Sequence, residues 1–504
     1  MRILAVLLLV GALLAGCSSD GPKTGGPDDH ADPEGPWYDA ARGMVEYPVA
    51  GLLLTTAPGA VSSIHNPGNA SVEVTLPATW LHINGDEGLS GSFSRLATVQ
   101  VAANGTAWFL APPSAYQFTL GVGGSPHNVD ISTARDYEEP WNQLVSGESM
   151  WALMDVQRRE FAPREPGTPT YDAAIDYFAK FFDDLGYDVE VDPFGFKDVE
   201  QCSPMGLNSL CLESLSNIVA TKPGTSLTGK TIFVGGGHYD VVPATTEGAF
   251  DDTSGTIMTL ELARALAPYD FEHTLKFGLW GGEENGILGS QFWVQTNPQA
   301  KAQVVSYFNL DVVGMSWPAP IPKPDPIVIA AGPDVPEEGT SGGTQDPIST
   351  SLLDWARTLQ RDWFGYPDTV VAPKDNSTVT AFIYEGVAGG QVEGYAGVNA
   401  QSDHTPFIAG GIPSYFIFNG DALRNPIGIH NQRDTLQNMT KYAFFEEDFD
   451  LDVYLFSSPA EEAKAKQALA RSFEATMMFP FYHAILVDLG VYTPPSAAGN
   501  LPSP

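Results

Sequence analysis

The sequence predicts an α/β domain, with a mostly parallel mixed sheet flanked by helices in three layers, preceded by a small all-β domain. Two observations carry that expectation. Between about Tyr38 and Ala134, alternating runs such as VEVTLPATWLHI, ATVQVAAN, TAWFLAP and YQFTLGVG are broken by Gly, Pro and Asn, which is the turn spacing of antiparallel β structure. From about Asp136 onward, apolar strands alternate with helical stretches instead, the pattern of a sheet covered by helices.

Taken in order, YDAAIDYFAKFFDDLGYDVEV reads as an amphipathic helix running into a strand. TIFVGGGHYD, TLKFGLWGGEE, QVVSYFNLDVVG and IPSYFIFNG read as strands, and SGTIMTLELARAL, STSLLDWARTLQRDW and the stretch from Glu461 to about Leu489 as helices. The division is therefore a β-sandwich-like domain over 38–135 with no assigned role, an α/β domain over 136–490, and a disordered tail over 491–504.

The first residues speak to compartment. Met1-Arg2 is followed by ILAVLLLVGALL and then Leu14-Ala15-Gly16-Cys17. The apolar run is short for a membrane span and ends in small residues, as a cleavable export signal does. LAGC resembles a lipobox, which is cut before a cysteine that then receives lipid. Residues 1–16 thus read as a lipoprotein signal peptide, Cys17 as the lipidated residue, and 17–37 as a flexible tether. The expectation is an exported, extracytoplasmic lipoprotein of the envelope or cell surface. The remaining cysteines, Cys202 and Cys211, close a short loop and read as a disulfide in that compartment. Sequons at Asn69, Asn104, Asn376 and Asn438 add possible glycosylation acceptors.

Acidic residues outnumber basic ones 61 to 25, for a formal net charge of −36. That excludes nucleic acid, and an anionic membrane surface, as general partners; the expected membrane contact is through the lipid. At 43% hydrophobic and only 17% charged, the chain buries a large core and is no disordered polyanion.

Residues with metal-binding chemistry fall at the C-terminal ends of the expected strands, where open α/β sheets keep their sites. They are His238 in GGGHYD, Asp251-Asp252 in DDTSG, Glu283-Glu284, Asp311 in NLDVVG, Asp403-His404 in SDH, and His430 with Asp434 in IHNQRDT. Singly, each has a plainer explanation: a core histidine, an N-cap, a turn. Together they make a mixed nitrogen and oxygen set that suits zinc, with carboxylates able to bridge two ions. Asp240 shares a strand face with His238 and is placed to accept its second ring N–H; Asp434 is placed to do the same for His430.

The order HYD … DDxSG … EExGxxGS … NLD … SDHxPF … H-x3-D-T resembles the co-catalytic zinc exopeptidase family of bacterial leucyl aminopeptidase, aminopeptidase S and glutamate carboxypeptidase II, over roughly residues 140–490. The resemblance implies two zinc ions. Asp251 would bridge them, His238 and Asp311 would bind one, Glu284 and His430 the other, and a cis peptide would follow Asp251. Glu283 would be the general base, taking a proton from zinc-activated water and passing it to the leaving amine. Asp240, Asp403, His404 and Asp434 would stand behind the ligands or line the pocket. Some members carry a Tyr five residues before the SDH histidine, where it helps hold the oxyanion; here Asn399 stands there and Tyr395 lies further back.

The function implied is removal of N-terminal amino acids from peptide substrates. Glutaminyl cyclases are distant relatives on the same sheet that work with one zinc, and a carboxypeptidase is a further alternative. A carboxypeptidase needs cations for the substrate carboxylate, and Lys374, Arg424 and Arg433 are candidates. A non-catalytic binding protein, as the transferrin receptor is in this family, would have lost ligands or the base, and none is missing here.

Overall fold

The computed structural model describes residues 44–131, 144–195, 215–227, 229–314, 327–332, 347–364, 382–387, 402–419, 428–444 and 455–495. Cys17, Cys202, Cys211, Lys374, Asn376, Tyr395, Asn399 and Arg424 lie outside the described residues, as do the signal segment and the tether.

The N-terminal unit is built from β1 (Val45–Val49), β2 (Leu52–Thr56), β3 (Val61–His65), β4 (Val72–Thr75), β5 (Leu81–Asn84), β6 (Gly91–Ser94), β7 (Thr98–Val101), β8 (Thr106–Leu110), β9 (Gln117–Val122) and β10 (Ser125–Asp130). One sheet has the order β10-β9-β4-β7, and the other begins β1-β2-β3-β8-β5-β6. Strict alternation of buried and less buried residues along β2 and β3, and along β7 in the other sheet, turns an apolar face of each sheet inward. Those faces meet over Leu52, Leu54, Ile64, Val74, Phe109 and Leu120, the interior of a sandwich.

The larger sheet has one more strand, β14 (Tyr269–Asp270), which comes from the α/β part of the chain and pairs in parallel with Gly91–Ser92 of β6. The outer face of that sheet is apolar as well: Leu81, Ile83, Phe93 and Leu110 join the main core of the α/β unit. Phe93 packs on Tyr269 with ring centroids 4.6 Å apart, and the Tyr269 hydroxyl donates to the Gly88 carbonyl at 2.9 Å. The two units therefore share one core.

The sheet of the α/β unit has eight strands among the described residues, in the order β11 (Asp188–Phe194), β12 (Leu215–Lys222), β15 (Thr274–Trp280), β13 (Thr231–His238), β16 (Val304–Leu310), β19 (Ser414–Asn419), β17 (Ile327–Gly332) and β18 (Phe382–Val387). Its centre is parallel, from β15 through β13 and β16 to β19. Antiparallel joints bring in β11, β12 and β17. The mixed sheet matches the expected class, and the parallel centre puts the C-terminal ends of β13, β15 and β16 on one edge.

The longer helices among the described residues are α1 (Gly147–Glu160), α2 (Pro169–Asp184), α3 (Ser254–Leu266), α4 (Leu288–Thr296), α5 (Pro347–Thr358), α6 (His404–Ala409), α7 (Leu436–Phe444) and α8 (Pro459–Asp488), and a single turn, Pro298–Lys301, follows α4. Ser146, Thr168 and Ser458 cap α1, α2 and α8 by accepting from the third residue on, and Pro opens α2 and α8 where its missing N–H costs nothing. The C-terminal half of α8 is buried on all sides, with Phe473, Met477, Phe481 and Ile485 in the main core. None of the described helices is long and apolar enough to cross a membrane.

Two predictions follow from this packing. Phe93→Ala removes a ring from the shared core and should cost about 3–5 kcal/mol. Scanning calorimetry should then find both units still melting in one shifted transition; two transitions, with only the lower one moved, would show independent domains. The second concerns His483 on α8, whose Nε2 lies 2.9 Å from Ser306 Oγ while its Nδ1 accepts from Trp355 Nε1 at 3.1 Å. Burial lowers this imidazole to about 3 from 6.5. Its folded pKa lies below the unfolded one, so the unfolded chain takes up the proton first as pH falls, and stability is lost from pH 6.5 downward. Between pH 7 and pH 5 His483→Gln should lose about 2 kcal/mol less than the wild type in denaturant titrations. An equal loss in both would exclude His483 as the titrating group.

Candidate metal centre

His238 is the last residue of β13, Glu283-Glu284 follow β15, and Asp311 follows β16, so the parallel centre of the sheet delivers all of them to one edge. Asp251 arrives from the segment before α3. That segment can lie close to the sheet only because glycines face it. A Cβ on Gly237 would sit 2.7 Å from Asp252 Oδ2, and one on Gly255 would sit 1.9 Å from the Leu310 carbonyl oxygen. The Asp251-Asp252 peptide is cis. His430 comes from a turn in which its own φ is +62°, a conformation few non-glycine residues adopt.

Asp251 stands between the two histidines. His238 Nε2 is 3.1 Å from Asp251 Oδ1 and 3.6 Å from Asp311 Oδ1. His430 Nε2 is 2.9 Å from Asp251 Oδ2 and 3.2 Å from Glu284 Oε2. Two groups form, His238 with Asp252 and Asp311, and Asp251 with Glu284 and His430, with ligand atoms in each within 4.8 Å of one another. Asp252 has a duty of its own: its Oδ1 accepts from the Gly255 N–H at 2.8 Å and the Ser254 hydroxyl at 3.2 Å, capping the start of α3. The capping role that a DDxS run suggests thus falls to the second aspartate, and the first faces the imidazoles.

The donors fit zinc, which takes imidazole nitrogen and carboxylate oxygen. Glu284 Oε1 and Asp311 Oδ1 are buried with no hydrogen-bond partner among the described residues. Burial penalises such oxygens, and a divalent cation satisfies them.

The electrostatics point the same way. Burial, which opposes it, is outweighed at His238 by the adjacent carboxylates of Asp240, Asp251 and Asp311, which hold the imidazole well above its usual range. Hydrogen bonds to Asp251 and Glu284 push His430 up to about 11. Burial and then the Asp251 charge raise Glu284 to about 7. For Glu283 burial leads, and the carboxylates of Asp403, Asp311 and Glu284 add to it, driving the carboxyl well above the ordinary glutamate range against the pull of His238. The site carries more negative charge than its own side chains neutralise.

Two buried carboxylates hold the ligands by a route other than the one expected. His238 Nδ1 bonds the Asp240 backbone carbonyl at 3.1 Å, and the Asp240 carboxylate stands 3.6 Å away, beyond hydrogen-bond length. That carboxylate accepts instead from the backbone N–H groups of Glu283 (3.1 Å) and Glu284 (3.3 Å). Asp434 likewise does not serve His430. It accepts from the N–H groups of Phe250 (2.7 Å) and Asp251 (3.1 Å). Both expectations are corrected for one reason: an unpaired backbone N–H near a buried carboxylate is a fixed donor that must be satisfied, and it lies closer than the ring.

Asp403 and His404 open the short helix α6 and do not end a strand. Asp403 Oδ1 accepts from the Ser290 hydroxyl at 2.5 Å, and burial raises this carboxyl to about 7. Ser402 is tied to β16 through Asn309 Nδ2 at 2.8 Å. His404 turns into the core, stacked on Phe416 at 4.3 Å, with neither ring nitrogen bonded among the described residues.

Arg164 carries no motif and was not read as functional. It is fully buried, and burial lowers its guanidinium to about 10 while Asp252, Asp434, Asp240 and Glu247 act to raise it.

Comparison with known proteins agrees with this geometry. Residues 217–340 match the model of peptidase family M28. Leupeptin-inactivating enzyme 1 of Streptomyces exfoliatus is 28% identical over 227 residues, 44% of this chain and 46% of that protein. Aminopeptidase YwaD of Bacillus subtilis (strain 168) is 35% identical over 113 residues, 22% of this chain and 24% of that one. Among solved structures, the glutaminyl cyclase of Porphyromonas gingivalis aligns with a TM-score of 0.41 and 21% identity, covering 64% of this chain and 96% of that one. The chain spans about a quarter to just under half the length of the curated relatives it matches. The stretch that is similar to peptidase family M28 holds His238, Asp251, Glu283, Glu284 and Asp311.

Proposed function

We propose that this protein is an exported zinc aminopeptidase, anchored by lipid on Cys17, that removes N-terminal residues from peptides outside the cytoplasm. One observation carries the reading. Glu283 and Glu284 are sequence neighbours whose N–H groups share the Asp240 carboxylate, yet their side chains part company. Glu284 joins His430 and Asp251, whereas the Glu283 carboxyl lies outside both ligand groups among the described residues. A carboxylate kept beside a ligand cluster but outside it is what a general base requires.

His238, Asp251 and Asp311 would hold one zinc ion, and Asp251, Glu284 and His430 a second. When bound, such a pair would polarise the scissile carbonyl and lower the pKa of water to about 7. Glu283 Oε takes the proton of the attacking water and returns it to the leaving amine. Asp240 keeps Glu283 and Glu284 in register for these separate duties, and Asp434 does so for Asp251. His430 is 53% exposed and His238 only 1%, so the substrate approaches from the His430 side. The named activity of the Bacillus subtilis relative supports hydrolysis at a free N-terminus.

Purified protein should cleave aminoacyl substrates with a free amine, lose that activity on chelation and regain it with zinc. Hydrolysis confined to N-blocked peptides would establish a carboxypeptidase, and pyroglutamate formation without hydrolysis a cyclase; either would overturn the proposal. Glu283→Gln should lower kcat by about 10²–10⁴-fold with bound zinc unchanged. Full turnover in that variant would remove Glu283 from the mechanism.

A further inference from the structure

Arg164 lies in the loop between α1 and α2, yet every hydrogen bond of its guanidinium reaches the segment between His238 and α3. Nε donates to the Tyr239 carbonyl at 2.7 Å. Nη1 donates to the Glu247 carbonyl at 3.4 Å, and Nη2 to the Gly248 carbonyl at 3.4 Å and to Thr253 Oγ1 at 2.6 Å. In return the Arg164 carbonyl accepts from the Val241 N–H at 3.2 Å. None of these partners is a carboxylate, so this is no buried ion pair. One planar group instead spans the whole excursion, from the residue after His238 to the residues on either side of Asp251-Asp252.

We infer that Arg164 is a positioning residue for the metal centre: it sets the separation of His238 from Asp251, and through it the affinity of the site for zinc. His238 is fixed by the sheet, since it ends β13 and pairs with Trp280 of β15. Asp251 has no strand beneath it. Its place depends on the Asp434 carboxylate on its own N–H and on what holds Gly248 and Thr253, which also bond each other through the Thr253 N–H at 2.9 Å. Arg164 grips both of these and Tyr239 at once. A lysine, with a single compact ammonium, cannot reach both ends of the segment. The buried positive charge also sits in the field of Asp240, Asp252 and Asp434, so the group that fixes the segment offsets part of the repulsion among the acids behind the site.

This rests on the reading of the site as a zinc centre. The test is zinc affinity, measured by competition with a chromogenic chelator on the apo forms of the full chain, alongside the apo melting temperature. Arg164→Lys should bind zinc about 10–100-fold more weakly. Thr253→Val should shift affinity in the same direction by less, and Thr253→Ser, which keeps the hydroxyl, should restore it. Glu474→Ala is the control for stability alone: it removes the buried oxygen that accepts from the Gly147 N–H and should lower the melting temperature without changing zinc affinity. Wild-type affinity in Arg164→Lys and Thr253→Val, with only the melting temperature reduced, would make Arg164 a fold brace and overturn the inference. If Arg164→Lys does not fold, the Val and Ser variants at 253 decide by the same criterion. A wild-type protein that takes up no zinc would sink the metal reading itself, a failure distinct from equal affinity across the variants.

Discussion

The structure depends on one constraint: a group of carboxylates crowded at the edge of a parallel sheet, with Asp251 touching both imidazoles. Like charges in a low-dielectric interior repel strongly, and burial raises the cost of each. The fold meets this in layers. His238 and His430 face Asp251 directly, backbone N–H pairs engage Asp240 and Asp434, and Arg164 supplies a buried cation behind them. Among the described residues, the carboxylate oxygens left without a hydrogen bond lie on Glu284, Asp311 and Asp252, which belong to the two groups where divalent ions fit, and on Asp403.

The same constraint accounts for the glycines. Carboxylates can be gathered this tightly only if the backbones carrying them nearly touch, and a Cβ at Gly237 or Gly255 would force β13, β16 and the start of α3 apart. Rigidity then comes from the surrounding core. The β-sandwich contributes to it through β14 and through Phe93 against Tyr269. Those contacts lie just beyond the C-terminal end of α3, the helix whose N-terminal end follows Asp251-Asp252, so the sandwich packs against the element that follows Asp251.

Much of this was legible in the sequence because strand patterns and motifs are local. TIFVGGGHYD, TLKFGLWGGEE and QVVSYFNLDVVG became β13, β15 and β16, and the residues following them meet in space. Strand direction was less legible, since alternation is the same whichever way a strand runs; β11, β12 and β17 are antiparallel to their inner neighbours. Side-chain partners were misread where the true partner was backbone. Asp240 and Asp434 were matched to histidines, but main-chain N–H groups, which no residue letter distinguishes, took them. Arg164 and the two-residue β14 were invisible for a simpler reason: neither has a periodicity or spacing to read, and each acquires meaning only from a distant segment.

The central claim is that two zinc ions share Asp251, one against His238 and the other against His430. Anomalous scattering at the zinc absorption edge, from crystals of the zinc-loaded protein, tests it directly. Two peaks flanking the Asp251 carboxylate, with Glu283 bound to neither, are the predicted result. A single peak, or a peak ligated by Glu283, would contradict the account.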